Sequence, residues 1–325
     1  MKLATRKSPN RDGELLVVSR DLCRAAAVPQ ISPTLQAAIE DWTSTAPRLQ
    51  RVYDALNANE CPYAFAFDTT RAAAPLPRAY QWLDASAFAN HGQLMITAFG
   101  IAPAPGNDHI PLMYQGGSDD FLGAHDDIAL PSEADGIDFE GEIAVVLDDV
   151  PLGVAAHDAG RHIRLLMLVN DVSLRSIGPR EMATGFGFLQ AKPSSSFSPV
   201  AVTPDELGAA WDGNRLHLPV RISWNGERFG EPNAREMTFS FPELIAHAAR
   251  TRRLRAGTIL GSGTVSNQDR AAGSACISER RAIEVIDTGA IQTSFMRFGD
   301  RIRMEMLDAS GASVFGAIEQ VVRRA

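Results

Sequence analysis

An α+β architecture in which strands predominate is the fold class this sequence predicts, and three observations carry it. Beyond residue 75 the chain breaks into short apolar runs ("EIAVVL", "LLMLVND", "TILGSGTVS", "RAIEVI", "RIRMEML") separated by Gly, Pro and Asp. The stretch "LPVRISWNGERFG" sets an Asn-Gly pair between two such runs, the signature of a two-residue hairpin. Helical periodicity is confined to a few windows.

Taken in order, "GELLVVSRDL" (13–22) reads as a short hairpin. Ser32-Pro33 then supplies a cap and a first-turn proline for a helix whose apolar stripe is Leu35, Ile39 and Trp42. A second helix carries Leu49, Val52, Tyr53 and Leu56. "FDTTRAAAPLPRAY" clusters Thr, Ala and Pro as a linker does, so residues 1–75 are predicted to form a small N-terminal domain and residues 76–325 a larger one. In the larger part helices are predicted only around residues 155–163 and in "SFPELIAHAART". There Phe241-Pro242 sets the start, and Leu244, Ile245 and Ala248 face the core.

The balance of 45% hydrophobic and 22% charged residues is that of a globular chain. A formal net charge of −8 disfavours nucleic acid, whose grip depends on Lys and Arg neutralising phosphates. Cys23, Cys61 and Cys276 are odd in number and far apart, which fits neither a disulfide framework nor a zinc site and predicts a reducing, cytoplasmic setting. No apolar window approaches membrane-spanning length, and the charged "MKLATRKSPNRDGELLVV" does not read as an export signal, so no membrane partner is predicted.

The chemistry is concentrated in "GIDFEGEIAVVLDD" (136–149). Residues i and i+2 of a strand share a face, so Glu140 and Glu142 project together, and Ala144 and Val146 continue that face as a buried one. Two buried carboxylates a few ångströms apart repel unless a cation sits between them. Asp171, ending "LLMLVND", is a third acid delivered to a strand's end. Oxygen ligands of this kind suit Mg2+, Mn2+ or Ca2+ rather than zinc. On an exposed strand edge the same Glu-x-Glu would only solubilise.

Five ordered segments, "DFEGEIAVVL", "LVNDVSLRS", "GFLQAKPSSSFSPV", "GSGTVSN" and "FMRFGDRIRMEM", resemble the fumarylacetoacetate hydrolase superfamily over roughly residues 76–325. Residues 1–75 resemble the small N-terminal unit that some members carry. The resemblance implies a mixed β-sandwich or β-roll catalytic domain, a homodimer, and Mg2+ (or Ca2+ or Mn2+) as cofactor. By position it implies Glu140, Glu142 and Asp171 as cation ligands, with Asp84 as a further ligand seven residues before His91, the candidate base. Arg175 and Lys192 match active-site cations, Tyr114 a substrate-binding tyrosine, and Thr264 in "GSGT" a residue that holds the substrate carboxylate.

Two departures from the family pattern stand out. "AFANH" has Phe88 and Asn90 where many members have Tyr and Asp. The glutamate that orients the family's histidine is absent three residues on, where Leu94 stands, and Glu279 in the expected strand "SACISERRAIEVI" is slightly out of register.

The implied activity is hydrolysis of a carbon–carbon bond in a β-diketo acid, fumarylacetoacetate- or acylpyruvate-like, in the breakdown of aromatic compounds. A chelated cation would draw electrons from the breaking bond while His91 activates water. Hydratases, isomerases and oxaloacetate-type decarboxylases of the same superfamily share these acids, and a non-catalytic metal- or ligand-binding protein would keep the cradle and lose the base. A serine hydrolase is disfavoured because no G-x-S-x-G elbow occurs.

Overall fold

The computed structural model describes residues 1–325. Its backbone is an eleven-stranded sheet, a five-stranded sheet and a two-stranded ribbon, with helices packed against them. This is the α+β, strand-dominated fold that the sequence predicts.

The centre of the large sheet is the strand Gly141–Leu147, buried along its whole length. It pairs antiparallel with Ile163–Asn170 on one side and with Ile259–Gly261 on the other, and Ile259–Gly261 runs parallel to Trp82–Ala85. Met113–Gly116 closes that edge. Ile143, Val145 and Leu147 enter one hydrophobic cluster while Ala144 and Val146 enter another. The strand is therefore covered on both faces, which is why it reads as one continuous apolar run.

The first four strands do not form a sheet of their own. Glu14–Val18 is the middle of a meander between Lys2–Arg6 and Arg24–Ala27, rather than half of a hairpin closed within residues 13–22. Lys2–Arg6 pairs with Ala201–Val202, so the large sheet is continuous across residue 75. The helix expected to open at Ser32-Pro33 starts at Leu35, because Thr34 is the residue whose hydroxyl accepts from the Ala37 amide. The second expected helix spans Trp42–Asn57.

In the five-stranded sheet, Arg221–Trp224 and Glu227–Gly230 are joined by Asn225-Gly226, both left-handed (φ 53° and 85°), the conformation that an Asn-Gly turn adopts most easily. Phe241–Ala248 is helical, and Ser240 and Glu243 close a capping box at its start.

Helices are not limited to the two expected regions. Ala89–Phe99, Gly178–Thr184 and Ile277–Thr288 are also helical. The last corrects the reading of "RAIEVI" as a strand. Its β-branched residues favour a strand locally, but Cys276 Sγ accepts from the Glu279 amide as a cap, and Ile277, Glu279 and Ala282 are buried. Gly289 (φ 76°) ends the helix in the left-handed conformation. No helix is long and apolar enough to cross a membrane.

Candidate metal centre and active site

Register brings the acids together. Asp84, Gly261 and Ala144 lie side by side on three neighbouring strands, and Glu142 lies two residues before Ala144, on the same face. Val169 pairs with Glu142, and Asp171 follows it by two. Asp84, Glu142 and Asp171 consequently offer oxygens that all lie within 4.8 Å of one another, and all three residues are buried. Gly261 permits this approach, since a Cβ there would fall 2.4 Å from Asp84 Oδ1 and 2.4 Å from the Trp82 ring. The Gly263 amide donates to Asp84 Oδ1 at 3.0 Å.

Asp171 is the most supported of the three. Ser195 Oγ donates to its Oδ1 at 2.6 Å, and Tyr114 Oη (2.7 Å) and Lys192 Nζ (2.5 Å) donate to its Oδ2. Glu142 is the opposite case: both of its carboxylate oxygens are buried and neither has a hydrogen-bond partner. An ionised carboxylate left this way costs several kcal/mol, on the order of an unpaired buried charge. Burial, then repulsion from Asp84 and Asp171, drives the Glu142 carboxyl well above the usual carboxylate range. Asp84 is pushed up to about 8 by burial and by Asp171.

Glu140, expected beside Glu142 among the ligands, stands outside this group of three. It precedes the strand and meets Cys276 in an isolated bridge. Its oxygens are held by Arg175 Nη2 (2.5 Å) and Lys192 Nζ (2.6 Å). Burial would raise the Glu140 carboxyl, but Lys192 and Arg175 outweigh burial and hold it well below the ordinary range. Lys192 thus bridges Glu140 and Asp171, while Arg175 spans Glu140 and the fully buried Asp138. Five carboxylates face two cations, an acidic surplus that protons or a divalent cation must offset.

His91 lies in the first turn of Ala89–Phe99, which packs against Ile277–Thr288. Its Nδ1 is 2.9 Å from Oε2 of Glu279, a carboxylate with 1% of its side chain exposed. This is the acidic partner that a strand reading places out of register: on the helix, Glu279 is buried and reaches His91. His91 stands within electrostatic reach of Glu140. Asn90, at the departure from the family pattern, donates to Ser266 Oγ and to the Asn267 carbonyl (both 2.8 Å) and so ties this helix to the "GSGTVSN" turn. Thr264 is buried in that turn, and its hydroxyl makes no hydrogen bond to the acids.

Sequence reasoning missed Ser195 and Asp138. Ser195 was one of three consecutive serines in "KPSSSF", and nothing in the string singled it out. Asp138 had a signal, because it lies two residues before Glu140 and extends the pattern to Asp-x-Glu-x-Glu. The donor set fits a hard divalent cation: oxygens only, three of them convergent, and one carboxylate without any other partner.

Comparison with known proteins gives the family and the fold. Residues 81–323 match the family model "Fumarylacetoacetate (FAA) hydrolase C-terminal", and residues 1–78 match "Fumarylacetoacetase N-terminal domain 2". A 2,4-didehydro-3-deoxy-L-rhamnonate hydrolase from Sphingomonas sp. (strain SKA58) is 29% identical over 47% of this chain and 52% of its own. The oxaloacetate tautomerase YisK of Bacillus subtilis (strain 168) is 26% identical over 57% of this chain and 52% of its own. The chain thus spans about half the length of the curated relatives it matches. The crystal structure of maleylpyruvate hydrolase from Sphingobium sp. SYK-6, in complex with manganese (II) ion and pyruvate, shares the fold with a TM-score of 0.67 at 17% identity, over 100% of both chains. On these matches, and on the strand-borne acids they accompany, the chain belongs to the fumarylacetoacetate hydrolase family.

Proposed function

We propose that the protein is a divalent-cation-dependent hydrolase that cleaves the carbon–carbon bond between the two carbonyl groups of a β-diketo acid of the acylpyruvate or fumarylacetoacetate type. The observation that carries this reading is the His91–Glu279 pair beside the acidic group: a histidine held by a buried carboxylate is equipped to take a proton from water. Asp84, Glu142 and Asp171 would hold Mg2+ or Mn2+, with Ca2+ a poorer Lewis acid in the same oxygen cage. When bound, the cation supplies the Lewis acidity that stabilises an enolate leaving group.

The chain's own residues account for the rest of the reaction. Glu279 fixes the proton on Nδ1 of His91, which leaves Nε2 to accept one from water. The water oxygen bonds to the distal carbonyl carbon, the carbon–carbon bond breaks, and its electron pair passes to the keto-acid fragment as an enolate. That fragment takes up a proton, so a carboxylic acid and a pyruvate-type acid leave. Lys192 and Arg175 place positive charge beside the reacting oxygens, and Tyr114 and Thr264 are assigned to the substrate's keto-acid end. Glu140 keeps Lys192 and Arg175 in position and would offer a further oxygen to the bound ion.

Relatives named as oxaloacetate tautomerases support a second reading, proton transfer at carbon without bond cleavage. One experiment separates the two. The purified protein, loaded with Mg2+ or Mn2+, is incubated with acetylpyruvate and, separately, with enol-oxaloacetate. Acetate release from the first supports hydrolysis; accelerated enol decay without acid or carbon dioxide release supports the tautomerase, and consumption of neither overturns both. A homodimer in a cytoplasmic setting belongs to the same proposal, and light scattering tests the assembly.

A further inference from the structure

The segment that delivers Lys192 has almost no apolar anchorage. Helix Gly178–Thr184 ends at Gly185 (φ 73°), and the chain then swings through Gly187 (φ 94°) to Ala191. Along it Phe186 is 97% exposed and Leu189 83% exposed, so neither side chain pins the loop by burial. What holds the backbone amides of its last residues is one carboxylate. Glu181 Oε2 accepts from the amides of Leu189 and Ala191, both at 3.0 Å, and its Oε1 accepts from the amide of Gln190 at 2.8 Å.

Three consecutive backbone N–H groups thus converge on a single side chain from the preceding helix. On the far side, the Leu174 amide donates to the Ala191 carbonyl at 2.8 Å and ties the loop's end to the ribbon beside Arg175. The next residue is Lys192, whose Nζ reaches Glu140 and Asp171. Phe188, inside the clamped loop, meets the Tyr114 ring edge-on at 5.2 Å.

We propose that Glu181 is the positioning residue for Lys192: its carboxylate fixes the backbone from Leu189 to Ala191, so that the lysine stays between Glu140 and Asp171 when a cation competes for those carboxylates. The inference rests on the function proposed above. Contacts made by Lys192 itself cannot do this, because a cation weakens them by drawing on the same oxygens. A clamp outside the acidic group is unaffected by that competition.

Glu181→Gln tests the idea, since the amide leaves one carbonyl acceptor and turns an NH2 donor toward amides that are donors themselves. With the Mn2+-loaded protein and acetylpyruvate, kcat is expected to fall ~10- to 100-fold, the scale of an ångström-sized misplacement. Mn2+ affinity, read by calorimetry, is expected to rise roughly fivefold, because a displaced ammonium no longer repels the ion. Lys192→Met should shift both readings the same way, and the double variant should be no worse than Lys192→Met alone. A general loosening of the fold would lower Mn2+ affinity, so a fall in affinity, or additive losses in the double variant, overturns the proposal, as does unchanged turnover in Glu181→Gln. Should that variant not fold, Glu181→Asp, which keeps the charge on a shorter arm, is read against the same outcomes.

A second readout does not depend on the proposed function. Acylation of Lys192 by a soluble N-hydroxysuccinimide ester, followed by mass spectrometry, should be slow in the parent and faster in Glu181→Gln, whereas equal rates refute the clamp. If the parent neither binds Mn2+ nor consumes acetylpyruvate, the functional reading fails, and the labelling still decides the clamp.

Discussion

Nδ1 of His91 and Oε2 of Glu279 stand 2.9 Å apart although 188 residues separate them in the chain. Each comes from a helix, and the two helices pack on one another, so the pair is fixed by tertiary structure rather than by a local motif. Glu279 is almost fully buried and His91 has 16% of its side chain exposed, which leaves the ring's other nitrogen free to work.

For turnover, His91→Ala is expected to lower kcat by ~10²- to 10⁴-fold, the usual worth of a positioned base. Glu279→Ala should lower it less, and the double variant should match His91→Ala, because Glu279 acts only through the histidine. Steady-state kinetics with acetylpyruvate checks this. Additive losses would show that Glu279 has a separate role.

Arg175 invites a stability prediction. Its guanidinium reaches two buried carboxylates, with Nε to Asp138 Oδ2 at 2.8 Å and Nη2 to Glu140 Oε1 at 2.5 Å. Asp138 also accepts from the amides of Ile277 (2.7 Å) and Ser278 (2.9 Å), at the start of the Glu279 helix. Arg175→Ala leaves two buried carboxylates, Asp138 and Glu140, without this counter-charge, and breaking one partner of a buried pair costs about 3–5 kcal/mol. Arg175→Lys should recover only part of this, since one ammonium cannot reproduce a two-pronged contact. Urea unfolding measures both; equal stability of parent and Arg175→Ala would contradict the assignment.

How much of this was legible in the sequence follows from the range of each signal. Glu142 and Asp171 were found because strand alternation and strand ends are local properties, whereas Asp84 came only through the family resemblance, and the observed register sets all three on one face. The Asn225-Gly226 hairpin was legible for the same reason. The Glu279 helix was not: "RAIEVI" is rich in β-branched residues, and its helicity depends on a cysteine cap and on a buried face that exist only after folding. The division of labour between the two glutamates was hidden too. Glu-x-Glu predicts a shared direction, but Arg175 and Lys192 arrive from 35 and 52 residues away to claim Glu140 and leave Glu142 bare.

That bare carboxylate sets up opposed effects on function and stability. Glu142→Gln replaces a carboxyl that folding must either keep protonated or bury as a charge, so the cation-free protein at neutral pH should melt about 2–4 °C higher for each kcal/mol relieved. The same change should weaken Mn2+ binding by at least about tenfold, as expected when one charged ligand of a hard cation is neutralised. Calorimetric melts in EDTA and in Mn2+ give both quantities. A variant that is less stable than the parent in EDTA would mean that Glu142 is stabilised by something other than a cation.

The pH dependence of the cation-free protein follows from Asp84. Its carboxyl is raised in the folded state, from an ordinary 3.8 to about 8, by burial and by Asp171. A group whose folded value is raised contributes stability that is fully present below its unfolded value and lost as pH rises through its folded value. In EDTA the parent should therefore lose stability between about pH 4 and pH 8, and Asp84→Asn, which keeps an oxygen for the Gly263 amide, should lose less across that window. Loading the site should reverse the trend, because the cation must displace the protons that Asp84 and Glu142 hold, and both are raised in the folded protein. Mn2+ binding should accordingly strengthen as pH rises toward 8 and release protons as it does so. Calorimetry in two buffers of different ionisation enthalpy counts those protons, and a count of zero at pH 6 would show that no protonated carboxyl had to be displaced.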